Sequence, residues 1–216
     1  MSLLKSAVVC CATCKKQQEI PIYKSINTAT DPGLVAKVMD GSLFLWECPH
    51  CHAKSLAKYE CLYHNPDQRF MVWLLPLEMS SEAEQASIAM HAKALGAYTL
   101  RKCTEVGELV EKVHVLEAGL DDVAIELCKF IILQELQQKA ASEEEKAEII
   151  STPIHFYRKE EDKLVFAIQL NKQMNELAVG NNVYEDALGI ISRNPSLTPA
   201  PGFQRIDAIW LSTVLR

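Results

Sequence analysis

The 216 residues contain no glycine-rich phosphate loop, no nucleophile elbow and no His-Glu-x-x-His helix. The common signatures of nucleotide use, acyl transfer and zinc hydrolysis are therefore missing. Positive charge is not in excess either. The formal net charge is -6, whereas general affinity for nucleic acid or anionic lipid needs clustered Lys and Arg. Long apolar runs are absent as well. The most apolar helical stretch, DDVAIELCKFIILQEL, is interrupted by Glu126, Lys129 and Gln134 and cannot cross a bilayer. The opening MSLLKSAVVCCATC has one lysine and too brief an apolar run for a signal peptide, with no small-residue cleavage site. No internal repeat is visible. These absences predict a cytoplasmic globular protein of one sizeable domain or two small ones. Its 49% hydrophobic and 23% charged residues are ordinary for that class.

Charge is unevenly placed. Residues 1–80 carry 8 basic and 7 acidic side chains, and the remainder 14 and 21. The acidity belongs to the C-terminal part, most visibly SEEEKAE at 142–148.

Cysteine is what the chain does have, with eight in all. In a reducing compartment they read as thiolates and buried thiols rather than as disulfides. Cys11 and Cys14 are separated by two residues, and so are Cys48 and Cys51. Zinc takes four ligands at tetrahedral angles, and soft thiolates suit it. Two residues between cysteines let one tight turn present both sulfurs to a single ion, with backbone N–H groups of the turn supporting the thiolates. Two such turns meeting across a sheet make a zinc ribbon, so the expectation is one structural Zn2+ per chain on Cys11, Cys14, Cys48 and Cys51. Iron in a rubredoxin-like centre fits the same spacing. A thioredoxin-like couple would want a single pair at a strand-to-helix junction, whereas both pairs here sit among strands.

The other cysteines have plainer readings. Cys10 adjoins Cys11 and competes for a ligand position, although strand alternation points it away. Cys61 and His64 have ligand-like spacing but form only one pair. Cys103 and Cys128 read as core thiols, and His50 and His52 as exposed residues flanking the second turn.

The pattern of elements predicts an α+β protein. Residues 17–24, QQEIPIYK, suit a strand whose proline favours an edge. Asp31-Pro32 reads as a cap and first-turn proline for a short helix that stops at Gly41. SLFLWE, KSLAKYE and RFMVWLLP read as strands, the last two joined by the turn YHNPDQ. The N-terminal part is thus expected to be a zinc-ribbon-like antiparallel β unit at 8–78 with a small inserted helix, packed on a helical and hairpin region at 79–216. In the latter, Ser81 and Glu84 make a capping box for a helix ending at Gly96. A short strand AYTLRKC follows, then helices near 105–117 and 121–140. IHFYRKEEDKLVFAIQL alternates about a charged turn as a hairpin does. A strand at NELAV, a helix from VYEDALGIIS, a proline-rich loop and a closing helix FQRIDAIWLSTVL complete the chain. The helix containing AIELCKFIILQEL is apolar nearly all round, which predicts a central helix. Exposure of Ile125, Phe130, Ile131, Ile132 and Leu133 would instead indicate self-association as a homo-oligomer.

The segments CATC, YKSINTATDPGLVAKVMDGSLFLWECPHC and LYHNPDQRFMVWLLP, with YTLRKC, LVEKVHVLEAGLDD and a late IDAIW, together resemble the CpXC-domain family of bacterial and archaeal proteins. The resemblance covers about residues 8–130. It implies a metal role for the cysteines of the two motifs and no characterised activity. Two departures stand out: Ala12 occupies the proline position of the first motif, and YHN replaces the tripeptide Tyr-His-Asp common in the family. Lys15 and His52 also stand where a ribbon turn often has glycine, and histidine tolerates a left-handed backbone better than lysine.

Candidate titratable groups for an enzyme are His64, Asp67, Asp121, Asp122 and Asp207. Each has a structural reading: Asp67 as a turn former, Asp121 or Asp122 as a helix cap, Asp207 as a cap or local pair. A nucleic-acid reading rests on Lys15, Lys16, Lys24, Lys54 and Lys58 with Trp46 for stacking, and is tested by whether Lys15, Lys16, Lys54 and Lys58 form one basic face. The reading adopted is an interaction or scaffold protein with a zinc-organised fold. An unidentified protein is its expected partner; no membrane contact is expected, and nucleic acid is disfavoured. The alternatives are a nucleic-acid-binding ribbon and an enzyme with its site outside the zinc.

Overall fold

The computed structural model describes residues 1–76, 82–94, 97–170 and 172–215. The chain forms two compact units, Met1–Val113 with Pro201–Arg205 and His114–Ala200 with Ile206–Arg216.

The first unit is built on a five-stranded sheet. Strand β1 (Leu3–Cys10) pairs antiparallel with β2 (Gln17–Asn27). Helix α1 (Gly33–Met39) follows, and Gly41, at φ 74°, turns the chain after it. Only a residue without Cβ takes that left-handed conformation at no cost. The expected Asp31 side-chain cap is not made. Its carboxylate accepts from Ser2 N and Thr30 Oγ1 instead, and its backbone carbonyl accepts from Leu34 N. A 3-10 turn at Ser42–Phe44 leads into β3 (Leu45–Glu47), which pairs antiparallel with β4 (Lys54–Leu56) as a separate two-stranded sheet.

KSLAKYE does not continue as one strand: β4 ends at Leu56, and β5 (Cys61–Asn65) starts afresh. The turn from β5 to β6 (Phe70–Leu74) follows the sequence reading, since Asn65 Oδ1 accepts from the backbone N–H groups of Asp67 and Gln68. All five residues of β6 are buried, as expected for an apolar run with strands on both sides. Helix α2 (Glu82–Ala94) then carries the chain to β7 (Thr99–Cys103), which lies parallel to β6. The Ser81 cap and the Gly96 stop expected for α2 lie outside the described residues.

The sheet order is β1-β2-β5-β6-β7. It is mixed, not wholly antiparallel: β2 with β5 and β6 with β7 run parallel. Parallel neighbours need a long crossover; α2 supplies one, and α1 with the β3–β4 hairpin supplies the other. Pro21 lies in the part of β2 that precedes its pairing with β5 at Ser25–Asn27, which fits the local edge that proline favours. One face of the sheet buries Met71, Trp73, Leu75 and Leu100 with Phe203. Phe203 belongs to the late segment that returns to β7, where Lys102 N donates to Gln204 O and Gln204 N to Leu100 O.

Helix α3 (Val106–Glu117) leads into the second unit, through Gly119 at φ 67°, to α4 (Asp122–Lys139). Every residue from Asp122 to Cys128 is buried. Ile125 and Ile132 are buried, Ile131 and Leu133 half-buried, and Phe130 is 43% exposed. The acidic run forms helix α5 (Glu143–Ser151): Ser142 Oγ accepts from Glu145 N while Glu145 Oε2 accepts from Ala141 N, a pairing close to a capping box. Strands β8 (Ile154–Lys159), β9 (Lys163–Leu170) and β10 (Gln173–Gly180) form an antiparallel sheet with β9 central. Helix α6 (Asn181–Arg193), a 3-10 turn at Pro195–Leu197 and helix α7 (Ala208–Val214) follow. The last helix is shorter than FQRIDAIWLSTVL suggests, because Asp207 caps it by accepting from Trp210 N. One apolar cluster unites α4, the inward residues Leu164, Phe166 and Ile168 of β9, and Ala187, Leu197 and Leu211. The α+β class and the N-terminal sheet followed by helices and a hairpin sheet are as expected.

Candidate metal centre

Cys11, Cys14, Cys48 and Cys51 come together in the first unit, with their sulfurs all within 4.8 Å of one another. Cys11 Sγ lies 3.6 Å from Cys51 Sγ, and Cys14 Sγ lies 3.6 Å from Cys48 Sγ. Four sulfurs at about 2.3 Å from one tetrahedral ion stand about 3.5–4 Å apart, so the donor set suits a metal ion of that geometry. Among the described residues no other group of three or more His, Cys, Asp or Glu does so.

The local chain explains the geometry. Cys11 directly follows β1 and Cys48 directly follows β3, and each opens a tight turn. In the first turn, Lys15 N donates to Cys11 O at 2.9 Å and Cys11 N to Lys16 O at 3.0 Å. In the second, His52 N donates to Cys48 O at 2.9 Å and Cys48 N to Ala53 O at 3.0 Å. The two turns match bond for bond. Each ends in a left-handed residue, Lys15 at φ 60° and His52 at φ 58°, so lysine adopts the conformation as histidine does, at greater steric cost. The prolines differ without consequence for this pattern, since Ala12 and Pro49 occupy equivalent positions.

The neighbouring sulfurs and the turn backbone shift two of the thiols in opposite directions. The Cys11 thiol is pulled down to about 6, chiefly because the backbone N–H of Cys14 hydrogen-bonds its sulfur, with Thr13 and Cys51 adding to this against the cost of burial. Cys51 is pushed up to about 12 although the Ala53 N–H favours its thiolate, because burial and the three neighbouring sulfurs outweigh that bond. Four thiolates this close repel one another unless a metal ion neutralises them.

The competing residues are placed elsewhere. Cys10 is exposed and its thiol faces the carbonyl oxygen of Lys15 at 3.5 Å. Cys61 is buried in β5, where desolvation raises its thiol to about 12. His64 contacts the Tyr98 hydroxyl through Nε2 at 3.2 Å. Cys103 and Cys128 are buried core thiols, and His50 and His52 are exposed. Two of the candidate carboxylates take structural roles: Asp121 caps α4 through Val123 N and Ala124 N, and Asp207 caps α7. Asp67 sits in the Asn65 turn, where its backbone N–H donates to Asn65 Oδ1, and Asp122 is buried at the start of α4. Three of the five lysines considered for nucleic acid are paired: Lys24 with Glu60, Lys54 with Glu47 and Lys58 with Glu105. Sequence reasoning missed the backbone bonds from Cys11 and Cys48 that close the two turns; the repeated spacing of the cysteines was their one signal.

The family model described as CpXC protein matches residues 9–129. No curated protein and no solved structure matches the chain. The chain belongs to the CpXC family.

Proposed function

We propose that this member of the CpXC family binds one zinc ion through Cys11, Cys14, Cys48 and Cys51, and that the ion is structural. The observation that carries this is the pair of matching turns with four sulfurs within 4.8 Å. Zinc suits four thiolates without any demand beyond tetrahedral geometry. With all four corners taken by sulfur, such an ion has no open position for water or substrate, so its contribution is to the fold. It ties Cys11 and Cys14, which follow β1, to Cys48 and Cys51, which follow β3.

The protein's role is then that of an interaction or scaffold protein. Two observations support this over the alternatives. Two of the carboxylates that would build a catalytic site, Asp121 and Asp207, serve as helix caps. Three of the five lysines considered for nucleic acid, Lys24, Lys54 and Lys58, are matched by carboxylates, which reduces the basic surface that nucleic-acid affinity needs.

Elemental analysis of protein purified without added metal tests the site. One zinc per chain is expected, with near-complete loss on Cys48→Ser and none on Cys128→Ser. Iron at one per chain would keep the ligand set and overturn the ion; metal retained after Cys48→Ser would overturn the ligand set.

A further inference from the structure

Strand β1 forms one edge of the five-stranded sheet, and its outer side has no strand partner among the described residues. Soluble proteins usually protect such edges by keeping them short, charged or bulged. This edge is 8 residues long. In LLKSAVVC the only charge is Lys5, and the shift in register against β2 falls at Leu3/Leu4, leaving the rest of the strand regular. Leu3, Leu4 and Val8 are 46%, 55% and 66% exposed.

We propose that the outer edge of β1 pairs antiparallel with β1 of a second copy of this chain, joining two five-stranded sheets into one. The strand's own pattern selects this occupant. A two-fold axis perpendicular to the sheet keeps every residue on its own face, so even-numbered residues must stand opposite even-numbered ones. Three registers then give substantial overlap. Centring on Lys5 sets two lysines face to face, which is destabilising. Centring on Ala7 opposes Lys5 to Val9 and Ser6 to Val8. Centring on Ser6 opposes Leu4 to Val8 and Leu3 to Val9 of the second copy, each pair occurring twice, with Lys5 opposite Ala7. Charge and apolar matching therefore select the same register, in which the exposed Leu4 and Val8 cover each other. Because β1 leads directly into Cys11, the antiparallel arrangement sets the two metal centres at opposite ends of the paired strands.

Light scattering on the full chain over a range of concentrations tests this. The expected mass rises from the 24.2 kDa of one chain to twice that value. Val8→Glu and Leu4→Glu each act at an exposed position and are expected to weaken association at least tenfold, with metal content per chain and circular dichroism unchanged. Leu4→Lys combined with Val8→Glu sets opposite charges face to face in this register and is expected to restore association. Leu4→Glu combined with Val8→Glu does not. A chain that stays monomeric at every concentration overturns the proposal. So does an oligomer indifferent to both single substitutions, or an opposite-charge pair that associates no better than its parents.

Discussion

The two units are held together by different means. In the first, β1 of the mixed sheet and β3 of the separate two-stranded sheet each run into a tight turn, and the two turns bring four sulfurs together. Around those turns the side chains are largely exposed: Leu45, Leu56 and Val8 face solvent. In the second unit, α4 lies buried from Asp122 to Cys128 against a cluster that includes Phe156, Leu164, Phe166 and Ile168. Apolar burial is cheap to assemble and spreads stability over many contacts. A metal cross-link concentrates it in one place, so that removing the ion is felt at once where the core is thin. The comparison teaches that local exposure is tolerable in the first unit because the proposed metal replaces the missing apolar contacts there.

Removing the metal is the strongest way to break the contrast. Structural zinc in small peptides contributes about 10–16 kcal/mol of apparent binding energy, and even a fraction of that decides whether the turns stay folded. Chelation, or Cys48→Ser, is expected to make residues 8–16 and 45–57 exchange amide protons rapidly while the amides of α4 and β9 stay protected. Hydrogen exchange followed by mass spectrometry reads both regions in one experiment. Loss of protection in both regions together would erase the contrast.

The converse substitution sits in the second unit. Phe166 is fully buried, with its ring 5.8 Å from that of Phe156, so Phe166→Ala is expected to cost about 3–5 kcal/mol. Denaturant unfolding should show the loss, with metal content unchanged. A smaller effect belongs to the α4 cap. Asp121→Ala removes the acceptor for two backbone N–H groups and should cost about 0.5–2 kcal/mol, again with metal retained.

The smallest effect sharpens the comparison from the other side. Lys15 at φ 60° and His52 at φ 58° carry a left-handed backbone cost that glycine avoids, offset in part by glycine's greater freedom when unfolded. Lys15→Gly is expected to stabilise the metal-bound first unit by up to about 1 kcal/mol, and His52→Gly by less, since histidine accepts this conformation more readily. Melting temperatures of the two variants would rank them. A destabilised Lys15→Gly would mean that the lysine side chain contributes more than its backbone costs.

What was legible beforehand was local. The duplicated cysteine spacing brought out all four clustered thiols, the Asn65 turn follows its own side chain, and Asp121 and Asp207 cap the helices where their positions suggest. What was not legible depended on distant partners. LLKSAVVC has no alternation of its own and becomes β1 only by pairing with β2. The parallel pairings of β2 with β5 and of β6 with β7 join segments far apart in the chain, which no periodicity encodes. Asp31 looked like a cap, yet Ser2, 29 residues away, takes its carboxylate. The acidic run at 142–148 stood out only as a concentration of charge; the capping pair Ser142 and Glu145 was the overlooked signal for α5.

X-ray absorption at the metal edge of the purified protein tests the central claim most directly. The account predicts zinc with four sulfur neighbours at about 2.3 Å and no lighter ligand in the first shell. A first shell containing nitrogen or oxygen, or an absorber other than zinc, would contradict it.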